Sequence, residues 1–313
     1  MQAIAYHHYG SSQVLRAEQL AQPVPGTGQV LVRVRAAALN PVDCEIRRGS
    51  LRLLSGWRFP KVPGSDFAGE IVEVGAAVDH FEPGERVYGM SPPLRGGSYA
   101  EYLAIEPGKL ARMPAALSFE AAAALPLVAL TALQALRDLV RIKPGQRVFI
   151  HGGSGGVGTV AIQIAKYLDA QVMTTCSYRN LELVHALGAD EVIDYTKTDV
   201  TNIEGGYDCY FDVYGNMPFH RVKHLLRPKG VHVSTIIDPG NFLMAFWTRL
   251  RPGRQARVVV VRSRSNDLEL IRQLVENEQL SPVVDRTFPL EAAADAQAYL
   301  ETRRASGKVV LQI

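Results

Sequence analysis

The chain has 313 residues, 47% of them apolar and 21% charged, with a formal net charge of +3. That length predicts two domains, the composition is that of a soluble globular protein, and so slight a basicity argues against a nucleic-acid partner. Cys44, Cys176 and Cys209, odd in number and far apart, argue against a disulfide framework or a cysteine-rich metal site and read as small buried residues.

In chain order, Met1 to Tyr6 lacks a charged stretch followed by a long apolar one, and no later run is long enough to span a bilayer. The expectation is a cytoplasmic protein with no membrane partner. Three phrases, Pro25-Gly26, Pro83-Gly84 and Pro144-Gly145, each place a turn before a β-branched run. Strands are predicted at Val30 to Val34, Phe67 to Val74, Arg86 to Tyr88 and Tyr99 to Leu103, with little helical patterning, so the front of the chain reads as β-rich and barrel-like. From Ser118, a helix cap without a full capping box, the texture becomes Ala- and Leu-rich helix up to Val140.

Strand Arg147 to Ile150 then meets Gly153-x-Gly155-x-x-Gly158, followed by the apolar helical spacing Val160, Ile162, Ile164, Ala165, Leu168. Strand, tight turn and helix are the context in which such glycines bind a dinucleotide: one makes the turn, one admits the pyrophosphate, one lets helix and strand approach. Ser154, Gly155, Gly156 and Val157 are the expected phosphate contacts, at a helix N-terminus that favours negative charge. The alternative is a glycine-rich turn without a ligand. A nucleoside triphosphatase loop is a poorer fit, since no Gly-Lys-Ser/Thr follows at the helix start.

Strands and helices alternate afterwards: Gln171 to Thr175, helix Asn180 to Leu187, Glu191 to Asp194, Tyr207 to Asp212, helix Met217 to Leu226, Val231 to Thr235, and Val258 to Val261. This predicts an α/β fold, a Rossmann doubly wound parallel sheet joined to the β-rich domain. Helix Leu290 to Thr302 and strand Lys308 to Leu311 fit either domain by pattern. After the second Rossmann strand, where an NAD enzyme usually carries an acid for the 2′-hydroxyl, stands Thr174-Thr175-Cys176-Ser177-Tyr178-Arg179. A guanidinium beside a hydroxyl suits a 2′-phosphate, so Ser177 and Arg179 point to NADPH; the alternative for Arg179 is a solvated charge.

The phrases Asn40-Pro41-Val42-Asp43, Val62 to Gly69, Gly96 to Tyr102, His151 to Gly158, Leu187 to Tyr195 and Gly307 to Leu311 together resemble the medium-chain dehydrogenase/reductase superfamily over essentially the whole chain, most of all its zinc-independent quinone oxidoreductase group. The resemblance implies a GroES-like catalytic domain at residues 1–123 completed by 279–313, an NADPH-binding Rossmann domain at 124–278, and an active site in the cleft. It adds Tyr195 as a phosphate contact, Thr131, Ile236 and Val260 on the nicotinamide side, and Asn40 facing nicotinamide and substrate. From the residues alone, Asn40 before Pro41 equally suits a turn. Zinc relatives carry a Cys ligand within the segment matching 40–43 and His-Glu where this chain has Ser65-Asp66, so no metal is expected; adjacent His7 and His8 point to opposite sides and read as surface residues.

The implied activity is hydride transfer from NADPH to a quinone or similar conjugated carbonyl, with Asn40 as oxyanion donor. Reduction of an enal or enone double bond is the nearest alternative, and a non-catalytic NADPH-binding redox sensor the alternative of a different class. The run Ala256 to Val261 resembles the family's edge strand, which pairs across a two-fold axis, so a homodimer is expected.

Overall fold

The structure, a computed structural model, describes residues 1–313. It divides into two compact units: residues 1–127, 262–278 and 282–313 form the first, and residues 128–261 with 279–281 the second. The expected boundaries put residues 262–278 in the Rossmann portion. Helix Ser265–Glu276, which the sequence reading did not mark, instead buries Leu268, Ile271 and Leu274 in the first unit, where the Tyr88 hydroxyl donates to the Leu268 carbonyl at 2.6 Å.

The first unit is built on strand Val30–Ala38, buried along most of its length because strands flank it and side chains cover both faces. It pairs antiparallel with Asp66–Val74, with Tyr102–Ile105 and, at its far end, with Lys308–Gln312. The C-terminal segment therefore belongs to this unit. Beyond Ala38 the chain enters a helix that the sequence reading missed, Pro41–Arg48. Its start is specified locally: Pro41 occupies the first turn, and the Asp43 carboxylate accepts the Asn40 backbone N–H at 2.9 Å. Gly49, at φ +86°, ends it in the left-handed region that favours glycine. Arg47 anchors the helix from below. Its fully buried guanidinium donates to Gln297 Oε1 at 2.6 Å and the Gly10 carbonyl at 2.8 Å, and pairs with Glu301.

The second unit is a six-stranded parallel sheet in the spatial order Glu191–Asp194, Gln171–Cys176, Arg147–His151, Tyr207–Asp212, Leu226–Ser234, Gln255–Val258. Numbered along the chain this is 3-2-1-4-5-6, the doubly wound order whose reversal point lies between its first and fourth strands. Those strands are fully buried at Val148, Phe149, Ile150 and at Cys209, Tyr210, Phe211, as helices on both faces require. The Phe149 and Tyr210 rings stack across them at 4.7 Å. The last strand covers Gln255–Val258, where sequence pattern placed Val258 to Val261. All three cysteines are buried and unpaired.

Candidate active site

In the second unit the glycine run turns at the C-terminal end of strand Arg147–His151 and opens helix Gly156–Tyr167, with Gly155 as its N-cap. The turn is tied to the neighbouring strand: Gly152 N–H donates to Thr175 Oγ1 at 2.9 Å and Gly153 N–H to the Thr175 carbonyl at 2.8 Å. A Cβ on Gly158 would lie 2.1 Å from the Gly152 carbonyl oxygen, so only glycine lets the helix come this close. Ser154, Gly155, Gly156 and Val157 remain partly accessible where the first N–H groups of the helix lack intrahelical partners. Chemically this is an anion cradle that fits a pyrophosphate.

Strand register brings the expected 2′-phosphate residues to one edge. Cys176 pairs with Asp194 on adjacent parallel strands, and Tyr195 N–H donates to the Cys176 carbonyl at 3.2 Å, so Ser177 and Tyr195 follow side by side. Arg179 and Tyr195 are exposed, and the Arg179 guanidinium lies 5.7 Å from the Tyr178 ring centre. No acid occupies the end of strand Gln171–Cys176. The residues present fit an NADPH adenosine end.

Across the reversal point, a cavity of about 480 Å³ lies at the ends of strands Tyr207–Asp212 and Leu226–Ser234, lined by Asp212, Asn216, Ser234, Ile236 and Asn241 among others. The Asp212 carboxylate shapes its rim by accepting the Gly215 and Met217 N–H groups, each at 2.8 Å. Ile236 and Val260 are 41% and 50% exposed, at the ends of adjacent strands, and so available to a ligand. Thr131 lies buried in helix Pro126–Leu133.

In the first unit, Asn40 sits in a buried polar cluster that the sequence reading did not foresee. Strand pairing places Asp66 opposite Ala38, and Leu39 N–H reaches the Val309 carbonyl, so Asn40, Asp66 and Lys308 converge. Lys308 Nζ donates to Asn40 Oδ1 at 2.6 Å, to the Leu39 carbonyl at 2.8 Å and to Asp66 Oδ2 at 3.2 Å; Asn40 Nδ2 donates to Asp66 Oδ2 at 3.0 Å. An ammonium only donates and a carboxylate only accepts, so the amide orientation is chemically fixed. One Asn40 N–H is spent on Asp66. The amide nitrogen has only one other partner, the Ala38 carbonyl at a long 3.5 Å. The turn is made by Pro41 and the Asp43 carboxylate; the Asn40 side chain is committed to the cluster.

Asp43 and Asp66 feel this burial. Desolvation, reinforced by the Asp66 carboxylate, pushes the Asp43 carboxyl up to about 7, against the Asn40 N–H, Lys308 and Ser65, whose hydroxyl donates at 3.2 Å. Burial also raises Asp66, opposed chiefly by Lys308.

These residues do not fit a catalytic zinc. An amide and a hydroxyl stand where soft or imidazole ligands are needed, and the Asp66 carboxylate is engaged by an internal ammonium and the Leu127 N–H. His7 and His8 are exposed, with His7 paired to Glu18.

Residues 26–115 match the family described as alcohol dehydrogenase GroES-like domain, and residues 187–311 that described as zinc-binding dehydrogenase. The chain is 37% identical, over 99% of its length and 79% of the relative's, to an NADPH-dependent alkenal/one oxidoreductase of Arabidopsis thaliana chloroplasts. It is 33% identical, over its whole length and 98% of the relative's, to a chloroplastic quinone-oxidoreductase homolog of Spinacia oleracea. Among solved structures, the quinone oxidoreductase from Coxiella burnetii matches with a TM-score of 0.92 at 32% identity, covering 100% of this chain and 99% of that one. GroES-like front, Rossmann sheet and full-length likeness agree: the chain belongs to the medium-chain dehydrogenase/reductase superfamily, in its quinone oxidoreductase group.

Proposed function

We propose that this chain is a zinc-independent, NADPH-dependent reductase of quinones and similar conjugated carbonyls, acting as a homodimer in the cytoplasm. The single observation that carries the cofactor reading is the strand end at Ser177 and Arg179, with Tyr195 beside it and no acid to take a 2′-hydroxyl. The names of relatives, a quinone-oxidoreductase homolog and an alkenal/one oxidoreductase, support both acceptor classes. The edge position of strand Gln255–Val258 supports pairing with a second copy.

NADPH supplies a hydride from C4 of its nicotinamide. Ser154, Gly155, Gly156 and Val157 would hold its pyrophosphate through backbone N–H groups, and Ser177, Arg179 and Tyr195 its 2′-phosphate. Thr131, Ile236 and Val260 would orient the nicotinamide end. Asn40 is the oxyanion donor, through the N–H not spent on Asp66. Lys308, by donating to Asn40 Oδ1, polarises the amide and makes that N–H a stronger donor. The proton that completes reduction comes from solvent.

Steady-state oxidation of NADPH against a panel of quinones, enals and enones tests the reading. Turnover with quinones is the expected result. Turnover confined to enones moves the activity to the double bond, and NADPH binding without turnover on any acceptor makes the chain a sensor. For the cofactor, a charge-assisted bond is worth about 1.5–3 kcal/mol. Arg179→Ala is therefore expected to weaken NADPH roughly 10- to 100-fold and leave NADH nearly unchanged. Equal losses for both, measured by titration, would remove Arg179 from the site.

A further inference from the structure

His151 places a buried imidazole at the reversal point of the parallel sheet. It ends strand Arg147–His151, directly before the glycine run, and is only 6% exposed, so protein and not water must satisfy its ring. Its Nε2 lies 2.8 Å from Asn216 Oδ1, and its Nδ1 lies 3.2 Å from Thr175 Oγ1. Thr175 belongs to the strand on one side, and Asn216 to the loop that leaves strand Tyr207–Asp212 on the other. The ring therefore joins the two neighbours of its own strand, at the point where a doubly wound sheet takes a dinucleotide.

Chemistry sets the direction of these bonds. Burial holds the ring below the usual histidine pKa, against the Asp212 carboxylate and the Asn216 bond, so it is neutral and carries one N–H. Asn216 Oδ1 takes that N–H at Nε2. Nδ1 then accepts the Thr175 hydroxyl proton, which leaves the hydroxyl oxygen to accept the Gly152 N–H at 2.9 Å. Gly152 is the pivot of the turn: it stands at φ +96°, its carbonyl accepts the Gly155 N–H at 3.3 Å, and a Cβ on it would lie 3.2 Å from Tyr214 Cβ. Glycine turn and following loop thus share one hydrogen-bonded frame, closed by the His151 ring.

We propose that His151 is a positioning residue for the cofactor: by joining Thr175 to Asn216 it holds the Gly152–Gly153 backbone so that the helix N–H groups beyond it meet the pyrophosphate. This rests on the reading of the glycine turn as the NADPH cradle. A histidine kept for packing alone needs any two partners, whereas these two tie the glycine turn and line the cavity across the reversal point. Both ring nitrogens are committed to protein, so the ring acts through the backbone and not on the hydride. The pyrophosphate is common to NADPH and NADH, so both should feel its loss alike, unlike the loss of Arg179.

His151→Phe keeps an aromatic ring and removes both bonds. Each is worth a few-fold, so titration of the full chain should find NADPH and NADH each bound roughly 10-fold more weakly, with their ratio unchanged. Adenosine 2′-monophosphate, which suits Ser177, Arg179 and Tyr195 but carries no pyrophosphate, should bind as it does to the parent. In the steady state KM for NADPH should rise by the same factor while kcat falls far less. His151→Gln, whose amide N–H comes near the place of Nε2, should recover part of the loss. Asn216 is exposed, so Asn216→Ala tests the same chain without disturbing the interior. It should weaken both dinucleotides about 3-fold, and the double variant should lose no more than His151→Phe alone. Circular dichroism and Tm establish folding, and if His151→Phe does not fold, Asn216→Ala decides. Dinucleotide binding unchanged in the folded variants, equal weakening of adenosine 2′-monophosphate, additive losses in the double variant, or a fall in kcat at unchanged affinity would overturn the proposal. A parent protein that binds neither dinucleotide would overturn the cofactor reading itself, and this inference with it.

Discussion

Replacing Lys308 by Met is expected to lower the unfolding free energy by about 3–5 kcal/mol, the usual cost of leaving a buried charge without its partner. Lys308 and Asp66 have side chains only 5% and 0% exposed, so water cannot take over either role. Met matches the length of the stem and fills its space, which confines the loss to the ammonium. Three acceptors lose a donor at once: Asp66 Oδ2, Asn40 Oδ1 and the Leu39 carbonyl. Adding Asp66→Asn removes the stranded charge while an amide oxygen can still accept the Leu127 N–H, which reaches Asp66 Oδ1 at 2.8 Å. The double variant should therefore recover part of the loss, with a coupling of roughly 1–3 kcal/mol. Denaturant unfolding of the two single variants and the pair measures it. A loss under about 1 kcal/mol for Lys308→Met, typical of an exposed pair, would mean that the cluster is open to water.

Asn40→Ala is expected to reduce turnover with a quinone on the order of 100-fold, the cost of one oxyanion donor, while NADPH affinity is unchanged. Stability should fall as well, because Lys308 Nζ and Asp66 Oδ2 each lose a partner inside the protein. A destabilisation of about 1–3 kcal/mol should accompany the kinetic effect. The two are separated by measuring kcat per folded molecule well below the Tm of the variant. Asn40→Asp should be at least as harmful, since it places a third carboxylate beside Asp43 and Asp66 and exchanges a donor for an acceptor. If both variants keep kcat within a few-fold of the parent, Asn40 only braces Lys308 and Asp66, and the donor lies elsewhere.

Much of the fold was legible because its signals are local. Glycine spacing, apolar strand runs and Pro-Gly turns gave the Rossmann unit nearly strand by strand; Glu191–Asp194 and Tyr207–Asp212 agree to the residue. Helix Pro41–Arg48 was missed because its burial depends on Arg47 reaching Gln297 and Glu301 some 250 residues away. Helix Ser265–Glu276 was passed over although Leu268, Ile271 and Val275 have helical spacing. In the site, Asn40, Ser177 and Arg179 could be singled out from residue type and position. Lys308 and Asp66 stood in the motifs that carry the family likeness, yet no motif says that a lysine is buried. Only the pairing of three distant strands brings its ammonium to the amide.

The central claim is that this chain moves hydride from NADPH to a conjugated carbonyl without a metal. The most direct measurement is NADPH oxidation with a quinone by protein dialysed against a strong chelator, its zinc content determined on the same sample. The account predicts no stoichiometric zinc before dialysis and the same kcat after it. One zinc per chain in the purified protein, with turnover lost on chelation and restored by zinc, would contradict it.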